Sequence, residues 1–203
     1  MEEEVLNSIK ESDALVPQDK VVNRLVELSE KHANSKEKIF DILYNMVDEE
    51  RQATFAALDK KAAEYQEIIQ NLSADDISFQ FIYSTSQKSK ASLAVKSMYY
   101  DELADLYAFE MLRIVNSANE SIEKCKEGRE EFRTELKALS PADRKGLHEA
   151  TVMKYLGLGS LHDHCSDLEA EDDFQKAICY NFMNNMLTEI EEESKEAEQA
   201  PEM

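Results

Sequence analysis

Apolar residues along this chain recur at steps of three and four, the spacing that builds one face of an α-helix. Val22, Leu25, Val26 and Ser29 follow it, as do Ile39, Ile42, Leu43 and Met46, with Asn34-Ser35 as turn and N-cap between them. Leu6 to Leu15 predicts a short helix ahead of these, stopped near Pro17. Phe55, Leu58, Ala62, Tyr65, Ile69 and Leu72 predict an amphipathic helix of about five turns, ending at Ser73-Ala74-Asp75-Asp76. Ile77, Phe79 and Phe81 alternate with Ser78, Gln80 and Ile82 in a weak strand-like pattern. Helix is preferred over 77–95, because nothing else in the chain offers a strand a partner. From Lys96 the helical pattern runs through Tyr100, Leu103, Tyr107, Ile114, Ala118, Ile122 and Cys125, with Gly128 as a break and Phe132, Leu136 and Leu139 beyond it. Ser140-Pro141 marks a stop and restart. Leu147, Thr151, Tyr155 and Leu158 form the next stripe, ended by Gly157-Leu158-Gly159-Ser160, and Phe174, Ile178, Phe182, Met186 and Ile190 form the last. Uninterrupted heptads are not sustained. The pattern therefore predicts an all-α fold, an antiparallel array of about seven to nine helices in a single domain over 1–190, with 191–203 a disordered acidic tail.

Composition agrees with helices: of 203 residues 42% are hydrophobic and 33% charged, with only 4 Gly and 3 Pro to make turns. No apolar run approaches the roughly 20 residues of a membrane helix. The start, Met1-Glu2-Glu3-Glu4, lacks the basic region of a signal peptide. Cys125, Cys165 and Cys179 are odd in number and show no metal or redox spacing, which suits a reducing cytoplasmic setting. The net charge is −20; residues 189–203 account for −6 and Glu2 to Glu4 for −3, which leaves −11 on residues 5–188. Such a body repels nucleic-acid phosphate and anionic lipid and attracts basic partners. One window reverses the trend: from Ile77 to Tyr100 there is no acidic residue, and Lys88, Lys90 and Lys96 make it a candidate anion-binding stretch.

Three stretches, in order, carry a resemblance. Asp48-Glu49-Glu50-Arg51 opens a helix. Tyr99, Ala104, Asp105 and Tyr107 follow with fixed spacing. Arg144-Lys145-Gly146-Leu147 then leads into Val152, Tyr155, Leu158, Ser160, Cys165, Leu168, Phe174, Ala177 and Ile178. The chain resembles the 14-3-3 family at these positions. That family opens a helix with Asn-Glu-Glu-Arg, has Phe-Tyr-x-Lys-Met-x-Gly-Asp-Tyr-x-Arg-Tyr in its phosphopeptide-gripping helix, and reads Arg-Leu-Gly-Leu at the third stretch. One inserted residue reconciles the spacing. The resemblance implies a helical adaptor whose groove holds peptides, and a dimer formed through the N-terminal helices, residues 20–47. It also implies that the segment between Leu72 and Met98 is about two dozen residues shorter than in the family, with its long central helix shortened or absent. Residues 174–190 then stand for the penultimate or the last family helix.

At the grip itself the match departs. The family's phosphate-holding Lys falls on Asp59, its two Arg on Gln66 and Ala108, and its Tyr on Phe109. The Asn that steadies the peptide backbone falls on Glu149 or Ala150, and a second such Asn is matched by Asn185. Phosphate recognition rests on charge-assisted, partly bidentate bonds that guanidinium supplies best, and these positions no longer offer it. The expectation is an atypical 14-3-3-like adaptor for basic or unphosphorylated protein segments, without enzymatic activity, cofactor or metal. The alternative is an unrelated acidic helical interaction or inhibitor protein that mimics nucleic acid or blocks a basic site. A third class, an enzyme or metal protein, would use His162-Asp163-His164-Cys165 with Asp167 and His148. Neighbouring ligands there would point to different helix faces, and no second pair lies at finger spacing.

Overall fold

The computed structural model describes residues 18–31, 35–71, 79–161 and 169–199. The expected helix over Leu6–Leu15, the Ser73–Asp76 turn and the His162–Asp167 cluster lie outside the described residues. Among the described residues there are seven α-helices and no strand: α1 Gln18–Glu30, α2 Lys36–Tyr44, α3 Asp48–Gln70, α4 Phe79–Ser117, α5 Ile122–Ala138, α6 Pro141–Leu161 and α7 Glu169–Gln199. The all-α expectation holds. Contacts group the residues into two compact units, Met1–Tyr99 and Tyr100–Met203, with α4 running from one into the other. At 39 residues, α4 is about 58 Å long. It crosses Met98 without interruption, where the resemblance implied a shortened helix.

In the first unit, α1 buries Val22, Leu25, Val26 and Ser29, as its stripe predicts, and Leu28 besides. Ile39, Leu43, Phe55, Leu58, Ala62, Val95 and Tyr99 complete the core. Antiparallel packing of α3 on α4 is read from two contacts. The Ser89 hydroxyl donates to the Ala62 carbonyl at 3.1 Å, and the Phe55 and Tyr99 rings lie 5.7 Å apart. Arg51 is buried among them. Its guanidinium donates to the carbonyls of Leu43 (3.4 Å) and Met46 (3.0 Å), pairs with Asp48 and lies 5.5 Å from the Tyr99 ring centre. One charged side chain thereby ties off the C-terminal end of α2, where carbonyls lack helical partners.

In the second unit, residues 100–117 of α4 pack with α5, α6 and α7. α4 and α5 are antiparallel: Tyr107 meets Phe132 edge-on at 5.6 Å, and farther along α4, Ile114 faces Gly128. Helix α6 runs antiparallel to α7, with Thr151 bonded to Asn184 and His148 Nδ1 3.4 Å from Glu191 Oε1. The pattern expected to run unbroken from Lys96 to Cys125 is interrupted at 118–121. There Ser121 caps α5 by accepting from the backbone N–H groups of Glu123 (3.2 Å) and Lys124 (3.5 Å). Gly128 does not break α5. It lets that helix approach Ile114, whose side chain lies 3.3 Å from where a Cβ would stand. Ser140-Pro141 restarts the chain as predicted, the Ser140 hydroxyl accepting from the Asp143 N–H at 3.1 Å. Arg144 donates back to the last carbonyls of α5, at Lys137 (2.8 Å) and Leu139 (2.5 Å).

Two further expectations differ. Helix α6 continues through Gly157–Ser160 to Leu161, and α7 continues through the acidic stretch from 191 to Gln199. Side-chain pairing holds that end in place. Arg133 of α5 bonds Glu189 (2.5 Å) and Glu193 (2.6 Å), and Lys137 bonds Glu193 (2.8 Å). Cys179, Tyr180, Met183, Met186, Leu187 and Ile190 of α7 are buried, whereas Ile178 and Phe182 are half-buried and Phe174 is exposed. A constant step of four advances 40° per step around a helix, so the predicted series from Phe174 to Ile190 cannot stay on one face.

Candidate functional site

Two hydrogen-bonded contacts, one buried and one at the surface, set helices α4, α6 and α7 against one another. The Tyr100 hydroxyl donates to Asp143 Oδ1 at 2.9 Å, and both side chains are buried. The Tyr100 ring lies directly over Gly146: a Cβ there would stand 2.3 Å from its Cζ. One turn farther along α4, Asp105 receives a hydrogen bond from the Tyr180 hydroxyl of α7 on one oxygen and from Lys154 Nζ of α6 on the other, at 2.7 Å. Burial, and then the neighbouring Asp105 carboxylate, push the Tyr180 phenol up from its ordinary value, so it stays protonated and donates. A phenol held this way serves as a strut between helices, not as a proton donor in chemistry near neutral pH.

Around this strut the surface is apolar. Phe109, one turn beyond Asp105, is 71% exposed, with Leu106 beside it on the outer side of α4. On α6, Met153 and Leu156 flank Lys154 and are 68% and 59% exposed. Large apolar side chains exposed on two helices that a strut ties together mark a candidate binding surface. The same helices carry Glu102 and Glu110 on α4 and Glu149 on α6. Arg113 bonds Glu110, and Lys145 lies 4.0 Å from Glu149.

The groove positions implied by the resemblance divide among different places. Phe109 and Glu149 reach this α4–α6 surface and are exposed, whereas Ala108 and Ala150 are in the core. Position 108 therefore presents no group to a ligand. Asp59 and Gln66 are exposed on the first unit, two turns apart on one side of α3. Asn185 lies elsewhere in the second unit, in a cleft of about 260 Å³ between α5 and α7 that Arg129, Arg133, Phe182 and Met186 also line. The chain matches no protein-family model, no curated protein and no solved structure. What the site does is therefore argued from its own residues.

Lys88, Lys90 and Lys96 are all exposed on α4 but do not converge. At 100° per residue, Lys88 and Lys90 are 160° apart around the helix, and Lys96 lies over the Phe55 ring at 5.6 Å. Among the described residues no group of His, Cys, Asp and Glu is placed to hold a metal. His148, the described member of the proposed ligand cluster, faces Glu191. The residues that sequence reasoning missed are Lys154, Tyr180, Met153 and Leu156. Lys154 and Tyr180 meet Asp105 from 49 and 75 residues away, a separation no local pattern encodes.

Proposed function

We propose that this chain is a non-catalytic helical adaptor that binds a segment of a protein partner on the α4–α6 face of its second unit. The exposure of Phe109 on α4 and of Met153 and Leu156 on α6, two helices tied together by the Asp105–Lys154–Tyr180 strut, is the observation that supports it. Binding there is apolar and needs no phosphate. The position matching the family's second Arg is a buried Ala108, and the neighbouring carboxylates Glu102, Glu110 and Glu149 favour Lys or Arg beside the partner's apolar anchors. In this reading the chain is a cytoplasmic 14-3-3-like protein that keeps helix-groove recognition without the phosphate grip, and α1 and α2 form its dimer contact.

Burying each of these side chains against a partner is worth about 1.5–3 kcal/mol. Set against an association cost of about 4–15 kcal/mol, three such side chains support binding no tighter than a few tenths of a millimolar, about 5 kcal/mol, from this face alone. A screen of matched phosphorylated and unphosphorylated peptides tests the reading. Unphosphorylated peptides with apolar anchors and Lys or Arg neighbours should bind, and Phe109→Asp should remove binding with helicity unchanged. Preference for the phosphorylated forms, or indifference to Phe109→Asp, overturns it. Light scattering tests the dimer, which a monomer at high concentration would rule out.

A further inference from the structure

The α5–α7 cleft is separate from the α4–α6 face, and Arg129 and Arg133 line it together with Glu130 and Glu189. Five of the six arginines are engaged by carboxylates or backbone carbonyls: Arg24 by Glu27, Arg51 by Asp48, Arg113 by Glu110, Arg133 by Glu189 and Glu193, and Arg144 by Lys137 and Leu139. Arg129 differs. Its guanidinium lies over the Phe182 ring, 5.5 Å from the centroid, and among the described residues no carboxylate or carbonyl accepts from it. In a chain with 43 acidic residues against 23 basic ones, an arginine left without an anion is informative. A ring contact uses a face of the guanidinium, while the N–H groups at its edge are the ones that take a carboxylate in two parallel bonds.

The rest of the cleft suits a short protein segment. Asn185 is exposed beside the fork, and a carboxamide offers the donor and acceptor that a peptide backbone needs. Phe182 and Met186 supply an apolar floor. Two carboxylates, Glu130 and Glu189, also line the cleft. Glu189 is compensated by Arg133, whose guanidinium its hydrogen bond holds charged above the ordinary arginine range. Among the described residues, Arg129 is thus the cation of the cleft that no carboxylate or carbonyl engages, and the cleft volume admits one or two side chains rather than a domain.

We propose that the α5–α7 cleft is a second docking site, which takes a protein segment carrying an acidic side chain next to an apolar one: the carboxylate on Arg129 and Asn185, the apolar side chain on Phe182 and Met186. With a basic-segment site on α4–α6, the chain would join two partners of opposite charge. The cleft stands on its own observations and does not depend on the first site.

Fluorescence anisotropy tests it, using the full-length chain and a labelled peptide that repeats Glu-Leu pairs, with Gln-Leu and phosphoserine-Leu versions as comparisons. The Glu-Leu peptide should bind, and the Gln-Leu version should bind at least about tenfold more weakly. Arg129→Gln should cause a comparable loss at unchanged helicity, Arg129→Lys an intermediate one, and Phe109→Asp none. Absence of binding, equal binding by Arg129→Gln, or tighter binding of the phosphoserine peptide overturns the proposal. If Phe109→Asp alone abolishes the signal, the peptide sits on the α4–α6 face and the cleft is not its site.

Discussion

Gly146→Ala is the most searching perturbation of this fold, because the expected effect runs against helix propensity. In an exposed helix, Gly→Ala stabilises by about 1 kcal/mol. At Gly146 a Cβ would stand 2.3, 2.4 and 2.6 Å from three carbons of the Tyr100 ring. No real contact is that short, so the ring or the helix must move. Tyr100 is walled in, and its hydroxyl is bonded to the buried Asp143. Overpacking costs about 1–3 kcal/mol, and leaving a buried carboxylate without its donor costs about as much again. Less the propensity gain, the expected net loss is about 1–5 kcal/mol. Gly157→Ala, in the same helix, is the internal control. A Cβ there meets nothing within 4 Å, so the change should leave stability unchanged or raise it by up to about 1 kcal/mol. Urea unfolding followed by far-ultraviolet circular dichroism reads both. Equal stability of the two variants would refute the close α4–α6 packing and, with it, the surface that packing supports.

Other outcomes follow from particular contacts. Arg51→Met keeps the aliphatic stem but abandons the carbonyls of Leu43 and Met46; urea unfolding should show a loss of about 2–3 kcal/mol, and a change under about 0.5 kcal/mol would discount the buried guanidinium. Phe109→Ser should shift the unfolding midpoint little, since the ring is mostly in solvent, yet weaken peptide binding at least about tenfold by anisotropy. Hydrogen bonds from Lys137 and then Arg133 hold the Glu193 carboxyl below its usual range. A depressed folded value means that its contribution is present above the unfolded carboxylate range, near pH 4, and is lost as pH falls through the folded value. Amide exchange at 190–199 should therefore accelerate on acidification below about pH 4, and Glu193→Gln should remove that component. Exchange that ignores both the acid and the substitution would show that the clamp does not hold the end of α7.

The helical character of this chain was plain from local pattern. Steps of three and four placed α1, the core face of α3 at Phe55, Leu58 and Ala62 and that of α4 through Tyr100 and Leu103, and Ser140-Pro141 marked the restart. Pattern failed where two rules competed. The capping hydroxyl of Ser121 ended a helix that apolar spacing would have continued, and basic partners on α5 extended α7 through a stretch whose composition alone suggests disorder. The site was legible only in part. Asp105, Phe109 and Glu149 were picked out by the resemblance, but whether positions 108 and 109 face core or solvent depends on which side of α4 the other helices cover. Sequence by itself determined the all-α class, the acidity and the supply of apolar faces, because these depend on residues within a turn or two of one another. Tertiary structure alone decided that Lys154 and Tyr180 converge on Asp105, that Phe109, Met153 and Leu156 are left exposed, and that Arg129 lies over Phe182. Those outcomes depend on the distance and rotation between helices, which are set by contacts such as Tyr100 against Gly146 between residues far apart in the chain.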